Sequence, residues 1–395
     1  MSFSLNALYK NTSWAIGQQS AKLAALQEKA GTGQEVNRVS DDPNVANQIL
    51  GLTSDNRTKE QYLKNLDELS SMLDLSSSVL QSMTTELTRA RSSMTSIVSG
   101  TTSDQTRQTL ATDLDNALEQ LISLANTQRL GQSLFAGAKT GTTPYTVERN
   151  SNGEITRVIY QGSTQENAVE VAKGVTISGV LAGPALFSVD DRQSPVFYGQ
   201  TGAAAGSGTS TVRGDVYLQI QGSAGDWQLS IDGGENWVSA NGTEDNLAVV
   251  NSQTGEVLYV NTTGIKETGT EPIRVPGTYD IFNVLICARD LLKNTQDIPE
   301  TQLRQMLNDT LTAMKGAEEK LTQSFPVVGG RLQTLSSLRD SIEQTKLSAE
   351  DDVSRMQDAD IAQVSIDLAR YEVLYQMSLA IASKMFSMSF LDFME

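Results

Sequence analysis

Apolar residues recur at helical spacing over roughly the first 140 and the last 115 residues of the chain, where glycine and proline are scarce. The stretch between them holds 20 of the 30 glycines and several short segments in which apolar and polar residues alternate. A period near 3.6 indicates helices and a period of two indicates strands. We therefore predict an α+β fold: a long helical coiled-coil or bundle rod made from both termini, with an inserted antiparallel β domain.

The strongest helical signal lies within residues 43–97. Leucine or methionine recurs there every seven residues, and a second, mostly apolar set lies three positions further along each repeat. The first set is Leu66, Leu73, Leu80, Leu87 and Met94, and the second is Leu69, Ser76, Met83, Ala90 and Ile97. A heptad pattern sustained over these repeats is typical of a coiled coil or a long bundle helix.

Three further helices follow from the same spacing. One is predicted from Asp104 to near Gly137, and another from near Tyr279 until Phe325-Pro326 and Gly329-Gly330 end it. The third covers residues 331–356. Proline and paired glycines are predicted to break helices. Proline lacks the backbone N–H donor, and glycine loses more backbone entropy than other residues when a helix forms.

The β domain is predicted from period-two segments and turn signals. The strands are expected at residues 154–161, 168–172, 215–221, 226–231 and 256–261. Asn152-Gly153, Asp232-Gly233-Gly234 and Asn241-Gly242 are typical of tight turns between strands. The pattern thus predicts three domains: a terminal coiled coil (1–42 with 346–395), a helical bundle (43–140 with 280–345) and the β domain (141–279).

The two ends of the chain carry complementary features. The N-terminal helix should end at Gly31-Thr32-Gly33, and Asp41 or Asp42 can cap a helix that begins at Pro43. Residues 1–40 have four basic and two acidic side chains, a net +2, whereas residues 345–395 have four basic and nine acidic, a net −5. Opposite charge favours pairing of the two ends, although each exposed ion pair contributes only about 0–1 kcal/mol.

Both terminal helices are apolar over broad faces, so pairing with each other leaves apolar surface uncovered. Isolated helices of this kind are marginal in water. We therefore expect the ends to become ordered when many copies pack together. The alternative is a monomeric four-helix bundle with covered ends.

Composition narrows the functional classes. The net charge of −17 disfavours nucleic-acid binding, and the chain has no histidine, which removes the commonest general base and metal ligand. Cys287 is the single cysteine, so no intrachain disulfide can form. No catalytic, cofactor or metal motif is recognised, and we expect no enzymatic activity and no cofactor. Residues 373–391, the most apolar stretch, contain Gln376 and Lys384 and are too polar to span a membrane comfortably.

Motifs at both ends resemble those of the flagellin superfamily. Arg38-Val39-Ser40-Asp41-Asp42-Pro43 resembles its N-terminal Arg-x-Ser-x-Asp-Asp signature, and Asp358-Ala359-Asp360-Ile361-Ala362 resembles its C-terminal Asp-x-Asp-x-Ala motif. Gly330-Arg331-Leu332 and residues 375–379 and 387–393 are similar to members that join the flagellar hook to the filament. The Asn-x-x-Ser-Leu start and Leu-Leu-Arg-like tail of filament flagellins are absent, which favours the junction members.

The resemblance implies a structural subunit that self-assembles through its terminal helices. These helices would form an inner core layer, the bundle the next layer, and the β domain would face outward. The residues expected at subunit interfaces are Leu5, Leu8, Leu23, Leu26, Arg38, Asp41, Asp42, Ile361, Val364, Leu368, Tyr371, Tyr375, Leu379, Phe390 and Leu391.

The implied partners are copies of the same chain, the first hook-associated protein on the hook side and flagellin on the filament side. A cytosolic export chaperone would cover the C-terminal helix before export. Residues 1–30 show no apolar core flanked by basic residues, so the expected location is the extracellular flagellum, reached without a cleaved signal peptide.

Three other functions compete with this interpretation. A minor flagellin would polymerise into the filament itself. A coiled-coil signalling protein of the chemoreceptor kind would show the same heptads but needs a membrane span. A carbohydrate-binding module would centre on Trp227, Trp237 and Tyr259, although aromatic residues on strands more often belong to the core.

Overall fold

The computed structural model describes residues 2–98 and 103–394, and the side chains of residues 10–97 and 103–385. The chain forms two compact units: a terminal unit, Met1–Lys64 with Ser337–Glu395, and a central unit, Asn65–Ser336. The helices of the described residues are α1 (Ser2–Thr32), α2 (Pro43–Val98), α3 (Asp104–Ala125), α4 (Gly183–Phe187), α5 (Asn283–Lys293), α6 (Glu300–Gln357) and α7 (Ile361–Met394).

In the terminal unit, α1 pairs with α7, and the first turns of α2 pair with the last turns of α6. The second pair is antiparallel: Lys346 forms an ion pair of 3.1 Å with Glu60, and the Lys59 ammonium donates to the Thr345 carbonyl at 3.4 Å. Ala46 is among the buried residues of this pair, which confirms that α2 is already packed near its start.

The heptad prediction for α2 is confirmed in the central unit. All ten predicted residues from Leu66 to Ile97 are buried. On the outer flank of this buried stripe, Thr88 and Arg91 each bond a different oxygen of Glu318 on α6 at 2.7 Å. Burial of this apolar stripe supplies most of the free energy that stabilises the packing of α2, at about 25 cal/mol per Å² of apolar surface removed from water.

The prediction that Phe325-Pro326 and Gly329-Gly330 end a helix is wrong. Helix α6 runs without interruption through Pro326. A proline inside a helix costs about 3 kcal/mol or more. The cost is outweighed because buried residues continue at heptad spacing on both sides of it: Leu307, Met314, Leu321, Val328, Leu335, Ile342 and Ala349.

Helix α3 begins at Asp104, as predicted, but ends at Ala125 rather than near Gly137. The side chain of Asn126 explains the early end, since its amide donates to the Tyr145 carbonyl at 2.8 Å and its oxygen accepts from the Tyr145 amide at 2.9 Å. These bonds turn the chain away from the helix. Residues 128–133, assigned to the bundle by the sequence, instead form a β-hairpin.

The strands are antiparallel throughout the central unit. They are β1 (Gln128–Arg129), β2 (Gln132–Ser133), β3 (Tyr145–Arg149), β4 (Ile155–Tyr160), β5 (Ala168–Ala172), β6 (Val175–Ser178), β7 (Val196–Phe197), β8 (Ala204–Ala205), β9 (Gly214–Ser223), β10 (Asp226–Ser230), β11 (Val238–Ala240), β12 (Leu247–Val250), β13 (Val257–Asn261) and β14 (Gly269–Val275). The five predicted strands correspond to β4, β5, β9, β10 and β13, and their prediction is confirmed.

Two sheets and three hairpins arise from these strands. A five-stranded sheet has the order β11-β10-β9-β14-β7, a three-stranded sheet has the order β12-β13-β8, and β1-β2, β3-β4 and β5-β6 are separate hairpins. The two sheets share one core that includes Leu218, Leu229 and Ile273 from the larger sheet and Leu258 and Val260 from the smaller one. The inserted antiparallel β structure is therefore confirmed, whereas the three-domain division stays a prediction.

A second, aromatic core lies where the hairpins meet α5. The ring centroids of Tyr145 and Phe282 are 4.9 Å apart, and those of Phe135 and Phe187 are 5.1 Å apart at an edge-to-face angle. Such pairs contribute about 0.5–1.5 kcal/mol beyond the free energy of burying their surface.

None of the described helices has the length and apolar character needed to span a membrane.

Candidate assembly site on the terminal helices

The turns that carry the two sequence motifs meet in the terminal unit. The turn between α1 and α2 pairs with the turn between α6 and α7 through an antiparallel bridge of Gln34 and Asp358. The amide of Ala359 donates to the Gly33 carbonyl at 2.9 Å, and the amide of Glu35 donates to the Gln357 carbonyl at 2.6 Å. Gly33 has a φ of +74°, the left-handed conformation that ends many helices and that glycine adopts without strain.

The N-terminal motif folds into a turn held by its own carboxylates. Asp41 accepts hydrogen bonds from the backbone amides of Asn37 and Arg38 at 3.2 and 2.8 Å. Asp42 accepts from the amides of Asn44 and Val45 at 3.0 and 3.1 Å, so it is the N-cap of α2. This confirms Asp42 as the cap with Pro43 as the first helical residue, where the missing proline amide costs no hydrogen bond.

The C-terminal motif likewise caps the start of helix α7. Asp360 accepts from the amides of Ala362 and Gln363 at 3.0 and 3.1 Å and is therefore the N-cap. Asp358 accepts a hydrogen bond from the hydroxyl of Ser354, in the last turn of α6. Each motif thus caps the helix that follows it, α2 at Asp42 and α7 at Asp360.

Helices α1 and α7 pack antiparallel along their lengths. The Ser378 hydroxyl donates to the Gln19 side-chain oxygen at 2.6 Å, and the Lys22 ammonium bonds the Tyr371 hydroxyl at 3.3 Å while lying 5.4 Å from that ring's centroid. The less exposed positions of α7 recur at alternating spacings of four and three: Val364, Leu368, Tyr371, Tyr375, Ser378, Ala382 and Met385. Such spacing is that of a two-stranded coiled coil.

A second apolar face of α7 remains exposed to solvent. Ile366, Val373, Met377 and Ile381 are each more than half exposed, at 62, 55, 57 and 55%. Spacings of seven, four and four keep these positions on one side of the helix. Trp14 on α1 is exposed by 69%. Contiguous apolar surface that is left exposed makes this face a candidate interaction surface.

Asp41 and Asp42 hold the turn before α2, and the other predicted interface residues fall into three groups. Val364 is buried, and Leu23, Leu26, Leu368, Tyr371 and Tyr375 are half-buried within the α1–α7 pair. Ile361 and Leu379 are exposed by 47 and 44%, and Arg38 forms an exposed 3.0 Å ion pair with Glu28. The side chains of Leu5, Leu8, Phe390 and Leu391 lie outside the described residues.

Several exposed apolar residues were missed by the sequence prediction. Trp14, Ile366, Val373 and Met377 were not among the predicted interface residues. A helical projection of residues 361–385 contains the signal that would have identified the α7 members, because their spacing defines a second stripe beside the heptad that packs on α1. No comparable pattern identifies Trp14.

The structure assigns the aromatic residues of the β region to packing. Trp227 is 4% exposed within the core that the two sheets share. Trp237 and Tyr259 are half-buried.

Among the described residues, no group of three or more acidic, cysteine or histidine side chains is arranged to hold a metal ion.

Sequence comparison supports the motif assignment. Residues 3–140 match the family described as the bacterial flagellin N-terminal helical region. Over 150 residues the chain is 33% identical to flagellar hook-associated protein 3 of Escherichia coli K12, an alignment that covers 38% of this chain and 47% of that protein. The corresponding Salmonella typhimurium LT2 protein is 34% identical over 146 residues, which cover 37% and 46%. The chain thus spans about half the length of the curated relatives it matches.

Solved structures share the fold. FlgL from Xanthomonas campestris matches with a TM-score of 0.51 and 20% identity over 76% of this chain and 98% of that one. Flagellar hook-associated protein 3 from Legionella pneumophila matches with a TM-score of 0.53 and 17% identity over 78% and 98%. The N-terminal part of the chain is therefore similar to the bacterial flagellin N-terminal helical region, and its two curated relatives are each named flagellar hook-associated protein 3.

Proposed function

We propose that this chain is a structural subunit of the bacterial flagellum that joins the hook to the filament. The exposed apolar face of the α1–α7 pair carries the proposal. Burying a large aliphatic side chain fully contributes about 1.5–3 kcal/mol, so four such residues on α7 offer a substantial driving force for association. The subunit would self-assemble by packing these faces together, with the β structure directed outward.

The named relatives support the junction over the filament. Both curated relatives are called hook-associated protein 3, a name that places those proteins at the hook. We infer that one neighbour of this chain is the first hook-associated protein and that the other is flagellin.

Export before assembly requires the same apolar face to be covered. We infer that a cytosolic chaperone binds the α7 face that carries Ile366, Val373 and Met377. A bound chaperone would keep this face from aggregating, since apolar patches of this kind drive association between copies. A structural role of this kind needs no catalytic group.

The decisive experiment is immunogold labelling of intact flagella with antibody against the β region. Label confined to the boundary between hook and filament is the expected result. Label along the filament would identify a minor flagellin instead, and absence of label would contradict both functions. A strain that lacks residues 360–395 should show no incorporation, while the purified deletion variant keeps the cooperative unfolding transition of its central unit.

A further inference from the structure

Two clasps connect helices α2 and α6 within the central unit. In the first, which we call the Glu318 clasp, Thr88 and Arg91 of α2 each bond a different carboxylate oxygen of Glu318 at 2.7 Å. The Arg91 and Glu318 side chains are 34 and 20% exposed. A partly buried pair is screened less by salt than an exposed one, so this clasp holds the two helices together at one level.

The second clasp is the β5–β6 hairpin, which contacts both helices. The side-chain amide of Asn65, on α2, donates to the Glu170 carbonyl at 2.9 Å. The guanidinium of Arg331, on α6, donates to the Ser178 carbonyl at 3.1 Å. The hairpin therefore fastens α2 and α6 at a second level, and one span of each helix lies between the two clasps.

The α6 span between the clasps, residues 319–330, contains three residues that weaken a helix. Pro326 has no backbone N–H, so the Thr322 carbonyl lacks the donor that a helix would normally give it. Gly329 and Gly330 follow, and glycine is unfavourable in a helix because it loses more backbone entropy than other residues. A β-carbon at either glycine would meet no atom within 4 Å, so packing in the described chain does not require them.

The α2 span between the clasps carries serine hydroxyls that bond their own helix. Ser76, Ser78 and Ser82 donate to backbone carbonyls at 2.8, 3.1 and 3.0 Å. In each case the acceptor is the carbonyl four residues earlier. Such bonds slightly destabilise a helix and often bend it. Both helices therefore have a local tendency to bend between the same two clasps.

The buried seam between the helices also contains polar residues within these spans. Ser76 of α2 and Ser324 of α6 are 0 and 4% exposed. Each hydroxyl donates to a carbonyl of its own helix, at 2.8 and 3.1 Å. A serine removes less apolar surface from water than Leu73 or Leu80, which are fully buried in the same seam. Less burial free energy therefore opposes a change of packing here.

The weak stretches of the two helices lie side by side. Thr88 and Glu318 are in contact, and the helices run antiparallel with the same rise per residue. Counting six to twelve residues from this contact gives residues 76–82 on α2 and 324–330 on α6. The three back-bonded serines of α2, the proline and both glycines all fall within these ranges.

We propose that α2 and α6 share a bending point at residues 76–82 and 324–330, and that the subunit uses it to fit two unlike neighbours. Sharp helix bends occur at proline and at glycine or serine residues. Because the weak stretches are adjacent, the two helices bend together, whereas a stiff partner would keep a single weak helix straight. The use of the bend rests on the proposed function, since a chain between hook and filament contacts two different structures.

Spin-label distances along α6 test the bend in the full-length purified chain. Nitroxides are attached at Lys315→Cys and Ser336→Cys, two exposed positions on either side of the bending point, after Cys287→Ser removes the native thiol. A straight helix would separate these two α-carbons by about 32 Å, at 1.5 Å per residue. We expect the labelled parent chain to give a broad distance distribution that extends to shorter values.

The straightened variant carries Pro326→Ala, Gly329→Ala and Gly330→Ala. Alanine supplies the missing N–H and favours the helix, so the unfolding temperature should rise. The width of the distance distribution should fall about twofold as the bend is removed. Gly316→Ala, at another open glycine inside the labelled span but outside the bending point, is the control and should leave the width unchanged. An unchanged width in the straightened variant, or equal narrowing by Gly316→Ala, would overturn the bend.

Incorporation into flagella tests the use of the bend. The straightened variant should be incorporated about tenfold less than the parent chain, because fewer molecules reach the bent geometry that binding selects. Gly316→Ala should be incorporated normally. Normal incorporation of a straightened variant whose distance distribution has narrowed would overturn the use of the bend. Absence of the parent chain from flagella would overturn the proposed function, whereas the bend itself would still be decided by the spin-label distances.

Discussion

Arg274 and Asp215 form a buried, bidentate ion pair in the central unit. Arg274 Nε and Nη2 donate to the two carboxylate oxygens at 2.7 and 2.6 Å, and the two side chains are 3 and 4% exposed. The same guanidinium donates to the Met306 carbonyl at 2.9 Å and the Thr310 hydroxyl at 2.7 Å. The pair therefore fastens strands β9 and β14 to helix α6.

Removing the carboxylate should be strongly destabilising. In the Asp215→Ala variant the Arg274 charge remains buried without its counter-ion, and breaking a buried pair in this way costs about 3–5 kcal/mol. Urea unfolding monitored by circular dichroism measures the loss. Asp245→Ala, which removes an exposed carboxylate, is the control and should change stability little.

A double variant separates the effect of the unpaired buried charge from that of the hydrogen bonds that Arg274 makes to α6. Asp215→Leu with Arg274→Met removes both charges and should recover most of the stability lost by Asp215→Ala, because isosteric apolar replacement of a buried pair is often neutral. A double variant as unstable as the single one would show that the hydrogen bonds to α6, and not the unpaired charge, determine the loss.

Parts of the fold that depend on local pattern were predictable, and parts that depend on distant pairing were not. The heptad of α2 repeats every seven residues, so its buried face follows from the sequence. Arg274 and Asp215 are direct partners across the β9–β14 pair but lie 59 residues apart in the chain, and nothing near either residue indicates the other. Pro326 was assigned as a break because of its local penalty, although the heptad from Leu307 to Ala349 that outweighs this penalty is also present in the sequence.

The candidate site shows the same division. The caps Asp42 and Asp360 follow from local residue preferences, since aspartate is favoured at the start of a helix. The pairing of the two turns could not be predicted, because the bridge between Gln34 and Asp358 forms between opposite ends of the chain.

Charges introduced into the α2 heptad should unfold the central unit. Leu80 and Leu87 are fully buried, so replacing both with aspartate places two carboxylates in an apolar seam without partners. We expect loss of the cooperative thermal transition. Ser78→Asp with Ser82→Asp adds the same charge at exposed positions of the same helix and should leave the transition in place. An unchanged transition in the leucine variant would contradict the heptad assignment.

The N-cap of α2 should make a measurable contribution to the terminal unit. Asp42→Ala leaves the amides of Asn44 and Val45 without acceptors and should cost about 1 kcal/mol, within a usual range of 0.5–2. Asp42→Asn keeps an acceptor oxygen and should cost little. Hydrogen exchange of amides 44–46 measures the difference, and equal protection in the two variants would exclude a capping role.

Stability should depend on Glu244 in acid. Hydrogen bonds from the backbone amide of Asn241 and the Thr262 hydroxyl hold the pKa of Glu244 at about 2, below its ordinary value of 4.5. Since the folded pKa is the lower one, the ionised carboxylate stabilises the fold above pH 4.5, and this contribution is lost as the pH falls to about 2.

The comparison of Glu244→Gln with the parent chain tests this dependence. The difference in urea midpoint should be constant above pH 4.5 and should shrink steadily toward pH 2. Asp245→Asn, at the neighbouring exposed carboxylate, is the control for the general effect of removing one charge. A difference that does not vary between pH 2 and 7 would mean that the Glu244 carboxylate contributes nothing specific.

Trp14 should report directly whether the terminal helices are covered on assembly. It is 69% exposed, whereas Trp227 is in the core and Trp237 is half-buried. Acrylamide should therefore quench a large part of the fluorescence of the dilute chain, and the Trp14→Phe variant should lose that quenchable part. If copies pack through the apolar faces of α1 and α7, quenching of the parent chain should fall on assembly toward the value of Trp14→Phe. Quenching that stays constant between the dilute and assembled states would show that Trp14 remains in water, and the face around it would then not be part of the interface.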